Sequence, residues 1–250
     1  MTDSNFLRDQ EKSKWSNYYS GLDSLMQPSE YLLKLLLGKY SKKVNFLDNK
    51  NGWRDAFLDK TCLDLSCGDG RNIPLLKKLN FQIFATEISE EICERIYQNL
   101  TKENIKINRS NLNVGFNNLI PHKSSFFDFV VSWNAIYYLD SENHDIYENF
   151  KEIHRVLKKD GFLICSIPGK ECYSFIGSER VGNNQLKIKP QVNKDWGGGI
   201  QKDTIYYQFN SKESLNEMLK KDFKNIQISE LFWDGFGVPL NYYLFVAQKR

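Results

Sequence analysis

The sequence lacks the features that mark several classes of protein. No apolar run in its 250 residues approaches the roughly 18 residues that a membrane-spanning helix needs. The N-terminal stretch MTDSNFLRDQEKSKW is charged and has no apolar signal core, so we expect a cytoplasmic protein without a membrane partner. Its 5 cysteines form no C-x-x-C pair, so neither a disulfide framework nor a metal site is predicted.

An excess of charge of one sign is also missing. The 34 Lys and Arg residues nearly balance the 31 Asp and Glu residues, and the net charge of +3 gives no support for a nucleic-acid partner. The apolar fraction of 41% and the charged fraction of 26% are ordinary for a soluble globular chain of this length. The composition therefore predicts one domain with elaborations, either a monomer or a homodimer.

The most informative stretch is LDLSCGDGRN, residues 63–72. The apolar run 61–65 predicts a buried strand, Gly68 and Gly70 predict a tight loop, and Pro74 stands near the start of the following helix, where its missing N–H costs nothing. Glycine lets the backbone approach a ligand, and a helix N-terminus offers free N–H groups. Strand, glycine loop and helix together predict a nucleotide pocket in an α/β sheet.

Two nucleotide-binding classes compete for this motif. A dinucleotide-binding dehydrogenase requires G-x-G-x-x-G or A, but Ile73 stands where the third small residue is needed. The run from Asp64 to Gly70 resembles motif I of the class I S-adenosylmethionine (SAM)-dependent methyltransferases, with Ser66 where that family usually has glycine. The resemblance implies an enzyme that uses SAM as cofactor and releases S-adenosyl-L-homocysteine.

The resemblance extends to the end of the next predicted strand. Glu87 ends that strand, and a carboxylate at this position accepts hydrogen bonds from ribose hydroxyls. Ile88 would then lie against the adenine. The family often carries an acidic residue where this chain has Phe116, so we expect adenine recognition from the backbone or from Asn117 or Asn118.

Two later segments also match the family. Residues 118–128 are similar to its L-P-F-x-x-x-S-F-D segment, and residues 152–163 are similar to its fifth-strand region. The resemblance implies an α/β fold with a Rossmann-like seven-stranded sheet in the order 3-2-1-4-5-7-6, helices on both faces and an insertion after strand five. Helices are expected near 71–80, 89–101, 145–159 and 211–223, and the last two strands at 225–231 and 242–248.

The domain organisation follows from this pattern. Residues 1–60 are predicted to form an N-terminal arm and a cap helix, and residues 61–250 the methyltransferase core. Within the core, residues 168–207 lose regularity but are too aromatic for disorder. Because they follow the carboxyl end of a strand, where ligands bind in open sheets, we interpret them as a substrate lid. A scaffolding insertion or a dimer contact is the alternative.

The N-terminal arm contains Trp15, Tyr18 and Tyr19. In related enzymes a segment W-x-x-Y-Y folds over the methionine part of SAM, and simple packing of the arm is the alternative. The candidate cofactor-binding residues are thus Tyr19, Asp64, Ser66, Cys67, Gly68, Asp69, Gly70, Asn72, Glu87, Ile88, Phe116, Asn117, Ser132 and Trp133.

The residues after the fourth strand suggest what is methylated. The string Asn134 to Tyr137 is not the Asn-Pro-Pro-Tyr string that in this family signals methylation of nucleic-acid bases. A hydroxyl acceptor benefits from a general base, for which Tyr138 and His144 are the candidates, although packing is the alternative for Tyr138. The candidate substrate-binding residues are Asn134, Tyr137, Lys189, Trp196 and Tyr206.

We therefore expect a methyltransferase that acts on a polar small molecule, at a hydroxyl of a sugar, a sugar nucleotide or a related metabolite. The alternatives are a protein or RNA methyltransferase and a non-catalytic binding protein with the same fold.

Overall fold

A computed structural model describes residues 2–20, 27–37, 57–189 and 203–250, with side chains from residue 8 onwards. The helices in these ranges are α1 (Thr2–Ser20), α2 (Glu30–Leu36), α3 (Ile73–Lys78), α4 (Glu90–Lys102), α5 (Ile146–Val156) and α6 (Lys212–Leu219). The strands are β1 (Thr61–Asp64), β2 (Gln82–Glu87), β3 (Leu112–Val114), β4 (Phe127–Trp133), β5 (Tyr138–Leu139), β6 (Leu157–Pro168), β7 (Glu179–Gly182), β8 (Gln185–Lys187), β9 (Ile205–Tyr207), β10 (Phe223–Asp234) and β11 (Pro239–Lys249). None of the described helices is both long and apolar enough to cross a lipid bilayer.

The larger sheet has the order β10-β11-β6-β4-β1-β2-β3. Strands β1, β2, β3, β4 and β6 run parallel, and β11 is antiparallel to both of its neighbours. Counted along this sheet alone, the order is 3-2-1-4-5-7-6, so the fold class predicted from the sequence is confirmed. The strand order reverses between β1 and β4, which is where open α/β sheets bind ligands.

Helices cover both faces of this sheet because the central strands are apolar on both sides. Every residue of β1 is buried. One core cluster joins the sheet to α5 and α6 through Phe150, Ile153 and Leu215. The other joins it to α2, α3 and α4 through residues such as Leu36 and Ile96. The sheet is thereby held rigid, and its carboxyl edge is left for a site.

The N-caps of three helices explain where those helices begin. The side chains of Ser89, Asp145 and Ser211 accept hydrogen bonds from the first turns of α4, α5 and α6 respectively. Ser211 stands at the predicted start of its helix, and Ser214 completes a reciprocal capping box there. Helix α6 nevertheless ends at Leu219, four residues earlier than the sequence pattern predicted.

The insertion after β6 is more regular than the sequence predicted. Strands β7, β8 and β9 pair antiparallel with one another and with the short strand β5, in the order β5-β9-β8-β7. Leu186 and Tyr206 are buried in this second sheet. The prediction that regularity fails over 168–207 is therefore wrong for the described part, because cross-strand pairing supplies the order that the local sequence does not show.

The N-terminal arm also contains a helix that the sequence pattern did not indicate. Helix α1 has few apolar residues on any face, so it lacks the usual helical periodicity. Its position comes from tertiary contacts, including Ser16 Oγ at 3.2 Å from Ser89 Oγ at the start of α4. Trp15 and Tyr19 pack against the core cluster beside α4. Helix α1 thus lies at the edge of the sheet where the candidate site is found.

Candidate active site

A cavity of about 480 Å³ lies at the carboxyl edge of the larger sheet. Helix α1, the loops after β1, β2, β3 and β4, the second sheet and the start of β11 all contribute to its walls. Its volume falls within the range of small-molecule pockets. Of the predicted residues it is lined by Tyr19, Ser66, Cys67, Gly68, Asp69, Asn72, Glu87, Ile88, Phe116, Asn117, Trp133, Asn134, Tyr137, Tyr138 and Tyr206.

The glycine loop after β1 forms the floor of the cavity. Gly68 has a φ of 66°, and a Cβ atom there would lie 2.6 Å from the Tyr19 hydroxyl oxygen. Gly70 has a φ of 79°, and a Cβ atom there would lie 2.8 Å from a methyl carbon of Ile96. Both positions therefore require glycine, for backbone conformation and for space. Gly70 does not itself line the cavity but shapes the loop that does.

Ser66 adopts the left-handed conformation that the family's glycine would take. Its φ is 52°. Its hydroxyl donates to Asn117 Oδ1 at 2.9 Å, and its backbone N–H donates to the Thr86 hydroxyl at 3.3 Å. These bonds stabilise a conformation that costs a non-glycine residue about 1–2 kcal/mol. Serine thus replaces glycine without changing the course of the loop.

Glu87 joins the end of β2 to the glycine loop. One carboxylate oxygen accepts the backbone N–H of Gly68 and the other accepts that of Ile88, each at 2.7 Å. Burial raises the pKa of this carboxyl to about 7, although the two backbone hydrogen bonds favour the ionised form. Glu87 and Ile88 both line the cavity. A carboxylate in this position can accept hydrogen bonds from two neighbouring hydroxyls, as a ribose presents.

Asp64 and Asn72 present buried acceptor atoms that lack donors. Asn72 Nδ2 donates to Asp64 Oδ1 at 3.5 Å, and burial raises the pKa of Asp64 to about 7. Asp64 Oδ2 and Asn72 Oδ1 are buried without a hydrogen-bond partner among the described residues. Orphaned buried acceptors are costly, so this pair fits a ligand that brings a donor, such as the ammonium group of SAM. Asn72 lines the cavity, whereas Asp64 lies behind it.

The loops after β3 and β4 are tied together by the side chain of Asn117. Asn117 accepts the Ser66 hydroxyl and donates through Nδ2 to the carbonyl of Ala135 at 2.9 Å. Its side chain therefore connects three loops, which leaves the neighbouring backbone and the Phe116 ring to face a ligand. The Arg8 guanidinium lies 4.6 Å from the centre of that ring.

Tyrosine side chains form the wall opposite the glycine loop. The Tyr206 hydroxyl donates to the Tyr138 hydroxyl at 3.0 Å. Tyr137 stacks on Tyr138 with ring centres 4.7 Å apart, and Trp15 meets Tyr138 edge-on at 5.4 Å. Burial raises the pKa of Tyr138 to about 12. Tyr138 is therefore protonated near neutral pH, which favours a hydrogen-bonding role over that of a base.

Asn134 follows β4 and lines the cavity in a strained conformation. Its φ is 59°, which is uncommon for a residue other than glycine and is often found at functional sites. Its backbone N–H donates to Ser166 Oγ at 2.9 Å, and Ser166 Oγ donates to Asn134 Oδ1 at 2.6 Å. The end of β6 thus sets the orientation of an amide at the cavity wall.

His144 does not line the cavity. It is buried, its Nδ1 accepts the backbone N–H of Asp140 at 3.0 Å, and its Nε2 lies 2.9 Å from Asn149 Oδ1. Asn149 in turn donates to the carbonyl of Ile136 at 2.7 Å. Both ring nitrogens are therefore engaged in hydrogen bonds that hold the loop between β4 and α5. His144 thus has a structural role here, and not the catalytic role that the sequence suggested.

Other predicted residues also lie away from the cavity. Lys189 is exposed and forms an ion pair with Glu179 across the β7–β8 hairpin, so it does not reach the site. Ser132 is fully buried within β4. Trp196 lies outside the described residues. Cys67 lines the cavity, but burial raises the pKa of its thiol well above the usual range, which disfavours a thiolate nucleophile.

The sequence-based prediction missed several residues that line the cavity. Two of them, Arg8 and Glu11, stand on α1 with Trp15, Tyr18 and Tyr19, at the spacing that places residues on one face of a helix. This spacing would have predicted both residues if the arm had been predicted to be a helix. Thr204 immediately precedes β9 and Tyr242 lies in β11, and the approach of both strands to the site depends on tertiary pairing.

Comparisons with known proteins agree with this geometry. The model of a family described as a methyltransferase domain matches residues 63–165. No sequence among the curated proteins matches the chain. Among solved structures, the chain is similar to the 1,6-didemethyltoxoflavin-N1-methyltransferase of Burkholderia thailandensis, with bound 1,6-didemethyltoxoflavin and S-adenosylhomocysteine. That match has 15% identity, a TM-score of 0.59, and covers 97% of this chain and 87% of the other.

Two further structures are similar over most of their length. A protein of Pyrococcus horikoshii matches with 19% identity and a TM-score of 0.57, covering 91% of this chain and 94% of that one. A possible histamine N-methyltransferase of Thermotoga maritima matches with 19% identity and a TM-score of 0.52, covering 99% and 98%. At these identities the likeness concerns the fold.

Proposed function

We propose that this chain, which is a class I SAM-dependent methyltransferase, transfers the methyl group to a polar small molecule. The finer hypothesis is a hydroxyl acceptor on a sugar, a sugar nucleotide or a related metabolite. The observation that carries the proposal is the lining of the cavity by helix α1 and the second sheet in addition to the loops of the larger sheet. A concave site of about 480 Å³ lined in this way suits a small-molecule acceptor beside the reactive end of the cofactor.

We propose that one end of the cavity holds the cofactor. When bound, SAM supplies a methyl group that is already activated by its sulfonium. The orphaned acceptors of Asp64 and Asn72 suit the ammonium group, Glu87 suits the ribose, and the Phe116 ring with Ile88 suits the adenine. The protein then has to align the acceptor and exclude water.

The opposite wall supports a polar acceptor. It combines aromatic faces with hydroxyl groups, including Tyr138, Tyr206 and Thr204. Such walls stack on flat or ring-shaped molecules and hydrogen-bond their edges. We propose that Asn134 orients the reacting atom through its amide and that Tyr138 donates a hydrogen bond to the acceptor.

Similar proteins add limited support. The Burkholderia enzyme named above holds a small heterocyclic substrate, and the name of the Thermotoga protein also refers to a small molecule. We further propose that the protein acts in the cytoplasm, as a monomer or homodimer, without nucleic acid or a membrane. The five cysteines are all free and buried, which suits a reducing compartment.

Transfer of labelled methyl groups tests the proposed function. Purified protein and methyl-labelled SAM are added to a host extract that is then separated into small-metabolite and macromolecular fractions. We expect label in the small-metabolite fraction with the wild type and with Glu91→Gln, an exposed control, and little with Glu87→Gln. Label only in protein or RNA would contradict the small-molecule proposal, and no label in either fraction would favour a non-catalytic binding protein.

A further inference from the structure

The charged side chains around the cavity are mostly acidic. In the described part of the chain, four carboxylates and two guanidiniums line it, and no lysine does. The carboxylates belong to Glu11, Asp69, Glu87 and Asp140, and the guanidiniums to Arg8 and Arg71. The excess of carboxylates over guanidiniums restricts the charge of the acceptor that the cavity can hold, because a buried charge without a partner is strongly disfavoured.

Both guanidiniums are already paired. Arg8 Nε donates to Asp140 Oδ2 at 3.0 Å. Arg71 donates to both oxygens of Asp69, at 2.8 Å and 3.1 Å. Paired guanidiniums of this kind offer little to a phosphate or carboxylate on an acceptor. An anionic acceptor would therefore enter a cavity whose described cations are committed elsewhere.

Glu11 differs from Asp69 and Asp140 because its cationic partner, Lys14, does not line the cavity. One of its oxygens accepts from Lys14 Nζ at 2.7 Å, and the other accepts from the Thr204 hydroxyl at 3.3 Å. Lys14 does not line the cavity, whereas Glu11 and Thr204 do. A carboxylate has about four lone-pair sites, so Glu11 retains capacity for a further donor within the cavity.

Aromatic rings stand beside this carboxylate. Trp15 is one helical turn beyond Glu11 on the same face of α1 and contacts Tyr138. Tyr173, Tyr206 and Tyr242 also line the cavity. The faces of such electron-rich rings attract cations, and the attraction strengthens when water is excluded. A carboxylate and several aromatic rings in the lining of one cavity are a combination that suits a positively charged nitrogen.

We propose that the methyl acceptor carries a positively charged nitrogen, which binds between Glu11 and the aromatic wall around Trp15. The inference rests on the proposed function and narrows it. Sugar nucleotides and other phosphorylated acceptors are disfavoured, and polar metabolites that bear an amino or quaternary ammonium group are favoured. The cationic nitrogen serves recognition, and the proposal does not require it to be the atom that receives the methyl group.

A pair of matched probes tests the proposal on the intact protein. Choline and its neutral carbon isostere 3,3-dimethyl-1-butanol differ in charge at nearly equal shape, and inorganic phosphate serves as the anionic probe. Binding is measured by titration calorimetry with the protein saturated with S-adenosylhomocysteine, and again with SAM. We expect choline to bind about tenfold more tightly than the isostere, and phosphate not to bind.

Two variants of α1 separate recognition from folding. Glu11→Gln should reduce the preference for choline to about threefold or less, with unchanged affinity for S-adenosylhomocysteine and an unchanged thermal midpoint. Asp9→Asn removes the same charge from the same helix but away from the cavity, so its preference should equal that of the wild type.

Several outcomes would overturn the proposal. These are equal binding of choline and its isostere, tighter binding of phosphate, and an unchanged preference in Glu11→Gln. Discrimination that disappears when SAM replaces S-adenosylhomocysteine would assign the aromatic wall to the sulfonium alone and would also overturn it. Probe binding does not depend on methyl transfer, so label found only in macromolecules would contradict the proposed function and leave the probe result standing as a separate measurement.

Discussion

The Ser166 hydroxyl oxygen lies 2.6 Å from Asn134 Oδ1 and 2.9 Å from the backbone nitrogen of the same residue. Because the hydroxyl accepts the backbone N–H, its single proton is available for Oδ1. That arrangement assigns the oxygen of the Asn134 amide to Ser166 and leaves the amide nitrogen as the group that can donate within the cavity. The side chain of Asn134, which follows β4 in a left-handed backbone conformation, is thereby held in one orientation.

Replacement of Ser166 by alanine should impair methyl transfer without weakening cofactor binding. The Asn134 amide would lose the hydrogen bond that sets its orientation, which is worth about 1 kcal/mol, so we expect about a fivefold to tenfold lower turnover. Label transfer under saturating SAM measures turnover, and calorimetry measures the affinity for S-adenosylhomocysteine. Ser229→Ala, on the exposed side of β10, is the control. Weaker cofactor binding in Ser166→Ala would mean that Ser166 supports the whole site instead of one amide.

The donor role of Asn134 can be tested by its pH dependence. In Asn134→Asp the side chain donates only while it is protonated, so activity should persist at low pH and fall as the carboxyl ionises. The wild type has no ionisable group at this position, so the activity of the variant relative to that of the wild type should fall over the same interval. Profiles of label transfer between pH 4 and pH 8 make the comparison. Parallel profiles for the two proteins would contradict the donor role.

Tyr138 should not be the base of the reaction. Its pKa is raised to about 12 by burial, so almost none of it is ionised near neutral pH. We expect Tyr138→Phe to keep a measurable rate with the same pH profile as the wild type, and to bind the acceptor less tightly because one hydrogen bond is lost. A steady-state analysis with the acceptor from the labelled fraction separates KM from kcat. A loss of more than about a thousandfold in kcat would restore the catalytic role.

The sequence predicts the cofactor half of this site better than the acceptor half. The glycine loop, Glu87 and Ile88 are neighbours along the chain or lie on adjacent parallel strands, so local motifs and sheet topology suffice to bring them together. Arg8, Thr204 and Tyr242 come from distant parts of the chain, and only tertiary packing of α1 and the second sheet brings them to the cavity. His144 shows the converse. The sequence suggested a catalytic role for it, but both of its ring nitrogens belong to a buried hydrogen-bond network that the local sequence does not reveal.

Glu87→Gln should weaken the binding of S-adenosylhomocysteine by about tenfold to a hundredfold. The variant keeps the size of the side chain but turns one of the two accepting oxygens into an NH2 group, so one of the N–H groups of Gly68 and Ile88 loses its acceptor and the other keeps only an uncharged one. Calorimetry measures the change. Glu91→Gln, at an exposed position in the first turn of α4, should bind as the wild type does. Equal affinity in both variants would remove Glu87 from the cofactor site.

Cofactor binding should release protons near neutral pH. Burial raises the pKa of Asp64 and of Glu87 from 3.8 and 4.5 to about 7, so part of each carboxyl is protonated in the free protein. An ammonium group and ribose hydroxyls favour the ionised forms, and binding at pH 6.5 should therefore expel protons. Calorimetry in two buffers with different ionisation enthalpies measures the number released. Equal heats in both buffers would contradict the prediction, and Asp64→Asn should release fewer protons.

The same two carboxyls should make the free protein less stable as the pH rises from 4 to 7. The unfolded chain ionises them near 3.8 and 4.5, whereas the folded protein holds their protons until about pH 7. The unfolded state therefore binds fewer protons in this window, and the free energy of unfolding falls with increasing pH. Denaturant titrations of the wild type and of the double variant Asp64→Asn, Glu87→Gln measure this slope. The double variant should show the smaller decrease, and an equal decrease in both proteins would contradict the pKa shifts.

The contact between Gly68 and Tyr19 permits a rescue experiment. Gly68→Ala should abolish cofactor binding for two reasons, the strain of an alanine at φ 66° and a Cβ atom 2.6 Å from the Tyr19 hydroxyl oxygen. Gly237→Ala isolates the first reason, because its φ is 87° and no atom of the described residues lies within 4 Å of the added carbon. That control should lose about 1–2 kcal/mol of stability and keep its affinity for S-adenosylhomocysteine.

Removal of the Tyr19 hydroxyl should then restore part of the binding. In the double variant Gly68→Ala, Tyr19→Phe the nearest remaining ring carbon lies 3.4 Å from the added Cβ, which is close to ordinary contact. We expect the double variant to bind S-adenosylhomocysteine more tightly than Gly68→Ala alone, because α1 can again close on the loop. If binding is not recovered, backbone strain and not α1 sets the requirement for glycine. If Tyr19→Phe alone binds as weakly as Gly68→Ala, the hydroxyl of Tyr19 itself holds the cofactor.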